Sequence, residues 1–350
     1  MSTKKSPNTL ADHRLFRTSA DRPLSLLAQC PAYASTPLLD HGDLAGELDV
    51  SRLFIKDESR RMRLGSFKAL GGAFAVAQMI CDAAGTVDLT SETAKATAKR
   101  MTFITASAGN HGLSVAAGAH IFGANAVVYL SSLVPKGFGD RIRAIGADVV
   151  RIDGVYEDSV VAAKMAAEEN GWLLLADGSW EGYIDRPALV MEGYTVLVEE
   201  CRAAFERKGT WPTHVLIQAG VGGLAAAVAA HIRDYWAVQP KITIVEPEFA
   251  PCLKVSIQNN QMTRVEGDVS NMGRLDCKEA SLIAASSLRI DADEFVTISD
   301  EAATDAVNLL SRYGIMTTPS GAAAVAALRN MPHDQDDCCL VFVTEGLEGG

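Results

Sequence analysis

Two kinds of segment alternate along the sequence. Short runs rich in Val, Ile, Leu and Phe stand between longer Ala-rich segments whose apolar residues recur at helical spacing, and the junctions carry Gly, Asn, Asp or Pro. This pattern predicts an α/β fold with mainly parallel sheets covered by helices on both faces. Strands are predicted at residues 53–57, 102–107, 126–131, 148–152, 172–177, 214–219, 241–246 and 339–344, with helices filling most of the gaps. In such sheets ligands bind in the crevice at the carboxyl ends of strands. The residues that carry chemistry are therefore expected just after strands. The polar stretch 85–100 has weak strand or core character and is expected to be a surface connection or an exposed helix. Beyond it, residues 102–177 hold their own alternating units, enough for a small domain.

Three junctions stand out. The segment QAGVGGL (218–224) follows the apolar run HVLIQ and opens the Ala-rich LAAAVAAHIRDYW. Glycines at a strand-to-helix turn let backbone N–H groups converge on an anion, and the helix N-terminus adds favourable partial charge. The turn reads equally well as a phosphate cradle and as a tight packing turn. A dinucleotide fingerprint is disfavoured, because the spacing is not GxGxxG. The second junction, TASAGNHG (105–112), places small residues at a helix start, a geometry suited to a carboxylate, and Asn110 can bind a ligand oxygen. Alone it reads as an Asn cap, with His111 a helix-start residue. The third runs from KDES (56–59) to GSFKALGG (65–72). Lys68 precedes ALGGAFAVAQMI and so begins a helix that should be buried, a setting that suits Schiff-base chemistry.

Charge and cysteine usage exclude several classes. The formal net charge of −11 leaves no broad positive field for nucleic acid or anionic lipid, so neither is expected as a partner. No stretch reaches the roughly 18 apolar residues of a membrane span, and the N-terminal lysines precede no apolar region, which predicts a cytoplasmic location. The 7 cysteines lack metal-ligand spacing, so no metal site is expected and the thiols should be reduced.

Taken in order, SFKALGG, SAGNHG, QAGVGG and TPSGAA resemble the fold-type II, tryptophan-synthase-like pyridoxal-phosphate (PLP) enzymes, which include the serine/threonine dehydratases. The resemblance spans roughly residues 53–346. It implies a two-domain fold, with residues 1–80 and 180–350 forming a large PLP-binding domain and 81–179 a small one. It also implies PLP as cofactor, an amino acid as substrate and a homodimer. Lys68 resembles the lysine that carries PLP as an imine, with Phe67 beside it. Asn110 resembles the partner of the cofactor's 3′-oxygen, and Gly220, Val221, Gly222, Gly223 and Leu224 resemble the phosphate loop. Thr344 resembles the hydroxyl residue that meets the pyridine nitrogen. Ser107, Ala108, Gly109, Asn110 and His111 resemble the loop that grips the substrate α-carboxylate.

Within that family, KDESRRMRLGSFKALGG and, more discriminatingly, DGSWEGY followed by IDRPALVMEGY resemble the diaminopropionate ammonia-lyases. The resemblance implies α,β-elimination of ammonia from a 2,3-diaminopropionate-like amino acid to give a 2-oxo acid, with Lys68 and Asp177 handling protons. Asp177, at a predicted strand end before Gly-Ser, also fits a turn or cap residue. Three features depart from the lyase pattern. Ser107 replaces the first of two acidic positions, Thr318 replaces a Glu before PSG, and the tail after Gly346 is short. They keep two alternatives open: a dehydratase acting on serine, threonine or 3-hydroxyaspartate, and a non-catalytic PLP- or amino-acid-binding protein. With Asp177 kept and Ser107 in place of the other acid, the resemblance implies preference for the L-substrate. Cys252 and Cys277 match a cysteine pair of the lyases, and free thiols are expected there. Glu246 is expected to be structural.

Overall fold

The computed structural model describes residues 9–107 and 109–347. Its strands are β1 (Leu38–Asp40), β2 (Arg52–Asp57), β3 (Thr102–Ala106), β4 (Asn125–Ser131), β5 (Asp148–Ile152), β6 (Leu173–Leu174), β7 (His214–Gln218), β8 (Lys241–Pro247), β9 (Glu294–Ile298) and β10 (Cys338–Val343). They form a larger sheet in the order β1-β2-β10-β7-β8-β9 and a smaller one in the order β5-β4-β3-β6. Every pairing is parallel except β1 with β2. Parallel strands are covered on both faces, which explains their unbroken apolar sequences: Leu53, Phe54, Ile55, Val215, Ile217, Ile242, Ile244, Leu340, Val341 and Phe342 are all fully buried.

Most predicted strands lie within a residue or two of the observed ones. The run 172–177 is the exception, since only Leu173–Leu174 pairs. Its carbonyls are taken by side chains: Tyr183 Oη and Arg186 Nη1 each donate to the Leu174 oxygen at 2.8 Å, and the His111 ring meets the Leu175 oxygen at 2.9 Å. The chain therefore leaves the sheet early and turns towards the cleft. The edge strands β1 and β9 went unpredicted because their sequences, LLD and EFVTI, mix polar and apolar residues over a few positions. In the stretch 85–100, Ser91 caps a short helix, Glu92–Ala98, that buries Ala94, Thr97 and Ala98.

Close packing of helices sets the site. Helix Lys68–Ala84 lies against helices Asn110–Phe122 and Asp185–Lys208. A Cβ at Gly72 would stand 2.2 Å from Ser114 Oγ, and one at Gly193 would stand 2.8 Å from Gly71 Cα. Larger residues at these positions would push the helices apart. Below the loop that leads to Lys68, a buried ionic cluster fixes the chain path. Arg61 bonds Glu58 at 2.7 Å and Glu200 at 2.8 Å, and Lys56 bonds Glu200 at 2.5 Å. Such a cluster is weak evidence for stability, but losing one partner strands a buried charge at a cost of about 3–5 kcal/mol.

Candidate active site

The end of β10 runs beside the start of helix Lys68–Ala84. Phe67 N–H donates to the Thr344 oxygen at 3.2 Å, Gly346 N–H donates to the Gly65 oxygen at 3.0 Å, and Ser66 forms an antiparallel bridge with Glu345. This places Lys68, Thr344 and Glu345 at one strand end. From the other sheet, the turn after β6 delivers Asp177, whose carboxylate accepts a hydrogen bond from Lys68 Nζ. The turn is held by the stacked Trp180 and Tyr183 rings, 4.3 Å apart, and by Tyr183 Oη accepting from Ala176 N–H at 3.1 Å. The structure thus brings together two residues that lie far apart in sequence.

Burial works against ionisation of Asp177. The Lys68 charge, then His111, then the hydrogen bond from Lys68 outweigh it and hold the carboxyl well below the usual carboxylate range. His111 is buried, which pushes its ring pKa down. A neutral ring donating from Nε2 to the Leu175 oxygen leaves Nδ1 as an acceptor, and Nδ1 is buried without a hydrogen-bond partner.

Of the substrate-loop residues expected from the sequence, Ser107 Oγ accepts from Gly109 N–H at 3.3 Å, and Asn110 and His111 open helix Asn110–Phe122. Ala108 lies outside the described residues. Asn110 Nδ2 donates to the Glu345 carboxylate. Glu345 was not anticipated, although it directly follows Thr344 in the sequence. Thr318 caps helix Pro319–Asn330, accepting from Gly321 N–H at 3.1 Å, and donates to Glu345 Oε1 at 2.5 Å. Where the resemblance leads one to expect a carboxylate, a hydroxyl therefore binds a carboxylate supplied by another element.

The glycine turn 220–223 joins β7 to helix Gly223–Tyr235. Gly222 has φ +98°, and a Cβ there would meet Leu253 Cδ2 at 2.9 Å and Ala284 Cβ at 3.1 Å. Val221 is tied by its oxygen to Ser281 N–H at 2.9 Å, and Leu224 is buried behind the turn. Thr344 Oγ1 lies 3.3 Å from Gln218 Nε2. Both Cys252 and Cys277 are free thiols beside Gly220. The residues suit a planar, phosphorylated cofactor: an amine at Lys68, a helix-start turn without lysine or arginine, and a hydroxyl at Thr344. The buried polar atoms His111 Nδ1, Tyr194 Oη and Gln218 Oε1, all without hydrogen-bond partners, belong to residues bordering this region. No local pattern points to Tyr194, whose ring packs against Phe67 at 4.9 Å.

Two expectations follow. A valine at Gly222 meets helix side chains and a left-handed backbone rather than only the cofactor's approach. Gly222→Val should therefore lower the melting temperature of the apoprotein as well as weaken PLP affinity by roughly tenfold or more. Unchanged affinity in a spectroscopic titration would return the turn to a packing role. The second concerns Glu246, whose carboxylate accepts from Leu253 and Lys254 N–H at 2.8 and 2.9 Å. Burial raises its pKa from 4.5 to about 7, the backbone bonds offsetting only part of this. The fold therefore binds this proton more tightly than the unfolded chain does, and the resulting stability is present below about pH 4.5 and lost as pH rises through about 7. Glu246→Gln should flatten that decline in urea midpoints measured across the window. An unchanged slope would assign it to other groups.

A family model described as pyridoxal-phosphate dependent enzyme matches residues 30–345. The diaminopropionate ammonia-lyase of Escherichia coli (strain K12) is 36% identical over 341 residues, covering 90% of this chain and 85% of that protein. An L-threonine ammonia-lyase of Geobacter sulfurreducens is 30% identical over 245 residues, covering 69% of this chain and 57% of that protein. A crystal structure of the Escherichia coli diaminopropionate ammonia-lyase in complex with D-serine superposes with a TM-score of 0.83 at 30% identity, covering 97% of this chain and 95% of that one.

Proposed function

The chain belongs to the pyridoxal-phosphate dependent enzyme family, and on that premise we propose that it eliminates ammonia from a 2,3-diaminopropionate-like amino acid to give a 2-oxo acid. It is a PLP-dependent carbon–nitrogen lyase. The observation that carries the substrate reading is the hydrogen bond from Lys68 Nζ to the Asp177 carboxylate.

Bound at Lys68, the cofactor supplies an electron sink for the charge that develops at the substrate's α-carbon. Lys68 anchors it and, once released, presents an amine to the α-proton. Asp177, kept ionised by Lys68, accepts a proton from that amine or shares the abstraction, and returns it to the departing β-amine. Gly109 and the first N–H groups of helix Asn110–Phe122, with Ser107, orient the α-carboxylate. Phe67 packs on Tyr194, and Asn110, which donates to Glu345, would help to hold the cofactor. Thr344 would present a neutral hydroxyl to the cofactor, and Gly220, Val221, Gly222, Gly223 and Leu224 would hold its phosphate through backbone N–H groups. A homodimer in the cytoplasm completes this reading. Among the described residues, no helix is long and apolar enough to cross a membrane.

Ammonia and 2-oxo acid measured on L- and D-2,3-diaminopropionate and on L-serine test the proposal. Elimination of the β-amine, followed by hydrolysis, gives twice as much ammonia as 2-oxo acid, whereas serine gives equal amounts. The L-form should be strongly preferred, because Ser107 offers no base on the face opposite Asp177. Equal turnover of D- and L-diaminopropionate would mean that another group serves that face. Release of ammonia from serine alone would make the protein a dehydratase.

A further inference from the structure

Arg274 occupies a place that this mechanism leaves unused. Its N–H donates to Ser320 Oγ at 3.1 Å, and its carbonyl oxygen lies 3.0 Å from where a Gly220 Cβ would be, so its backbone is fixed against the glycine turn. From there the side chain reaches over the opposite wall. Nη1 lies 3.1 Å from where a Gly109 Cβ would be, Nε faces Glu345 Oε2 at 3.7 Å, and the guanidinium stands 5.8 Å above the Phe138 ring. Gly109, Asn110, Phe138, Arg141 and Arg274 line one small pocket. Arg141 and Arg274 thus bring two guanidinium-bearing residues to this recess, with the Glu345 carboxylate 3.7 Å from Arg274 Nε.

We propose that Arg274 determines substrate choice by binding a second carboxylate, carried on the β-carbon of the amino acid. The preferred substrates are then amino dicarboxylates with an amine or hydroxyl on that carbon. This rests on the function proposed above. The α-carboxylate is provided for by Ser107 and the helix-start N–H groups, whereas a guanidinium matches a separate planar carboxylate through paired hydrogen bonds. In the reaction, the α-carbon loses its proton and the β-carbon loses its amine or hydroxyl with the bonding electron pair. The enamine so formed takes up water and releases ammonia, leaving oxaloacetate, with no oxidant or reductant required.

Binding of L-aspartate and L-alanine to the holoenzyme, followed by calorimetry, tests this directly. The two ligands differ in the second carboxylate, and neither carries a β-leaving group. Wild type should bind aspartate about tenfold or more tighter than alanine, as expected for a partly exposed charge-assisted pair. In Arg274→Gln the ratio should fall close to one, and Arg274→Lys should keep part of it. Aspartate no tighter than alanine in wild type, a preference that survives Arg274→Gln, or equal weakening of both ligands would each overturn the proposal. The wild-type comparison stands even if a variant fails to fold. The lyase reading fails separately, if the holoenzyme releases no ammonia from 2,3-diaminopropionate, serine or 3-hydroxyaspartate.

Discussion

Lys68→Ala should abolish ammonia release, with a rate loss beyond about 10⁴-fold, because one side chain both anchors the cofactor and meets the α-proton. The variant should still bind PLP reversibly, since the turn 220–223, Asn110 and Thr344 are untouched. Its visible spectrum should be that of unattached cofactor. Folding should be little affected: the helix that begins at Lys68 is held by Ala69, Leu70, Ala73 and Phe74, all buried, whereas the lysine side chain is partly exposed. Turnover within tenfold of wild type would show that the catalytic amine lies elsewhere.

Asp177→Asn carries the second-largest expected effect. An amide keeps the size of the carboxylate and accepts from Lys68 through its oxygen, but it cannot take up a proton. Removing a positioned acid/base group costs roughly 10²–10⁴-fold in rate. The variant should keep its cofactor spectrum and bind substrate, then release ammonia that much more slowly. Because Lys68 holds Asp177 ionised far below neutrality, the deficit should be the same throughout the neutral range. Near-normal turnover would demote Asp177 to a turn residue. A melting temperature lowered together with activity would point the same way.

The sequence carried most of the fold, because parallel strands buried on both faces must be continuous apolar runs, and β2, β4, β7, β8 and β10 are such runs. It carried less where side chains compete with the sheet. The segment after Leu174 has strand composition, yet Tyr183, Arg186 and His111 claim its carbonyls, and no local pattern announces that. The site divides in the same way. Lys68 was visible because it precedes a long apolar helical run, and the two glycine-bearing turns because small residues separate an apolar run from an Ala-rich helix. Asp177 could be singled out only by resemblance, since its meeting with Lys68 depends on how two sheets are arranged. Glu345, Tyr194 and Arg274 had no local signature, because their significance lies in what faces them: Asn110 and Thr318 for Glu345, Phe67 for Tyr194, and Gly109 for Arg274.

Every step proposed above requires the cofactor to be joined to Lys68. Borohydride reduction of the holoenzyme, followed by proteolysis and mass spectrometry, reads this out without relying on turnover. The pyridoxyl group is expected on the peptide containing Ser66-Phe67-Lys68-Ala69, and on no other lysine. A label on a different lysine, or a holoenzyme that reduction leaves without covalent label, would contradict it.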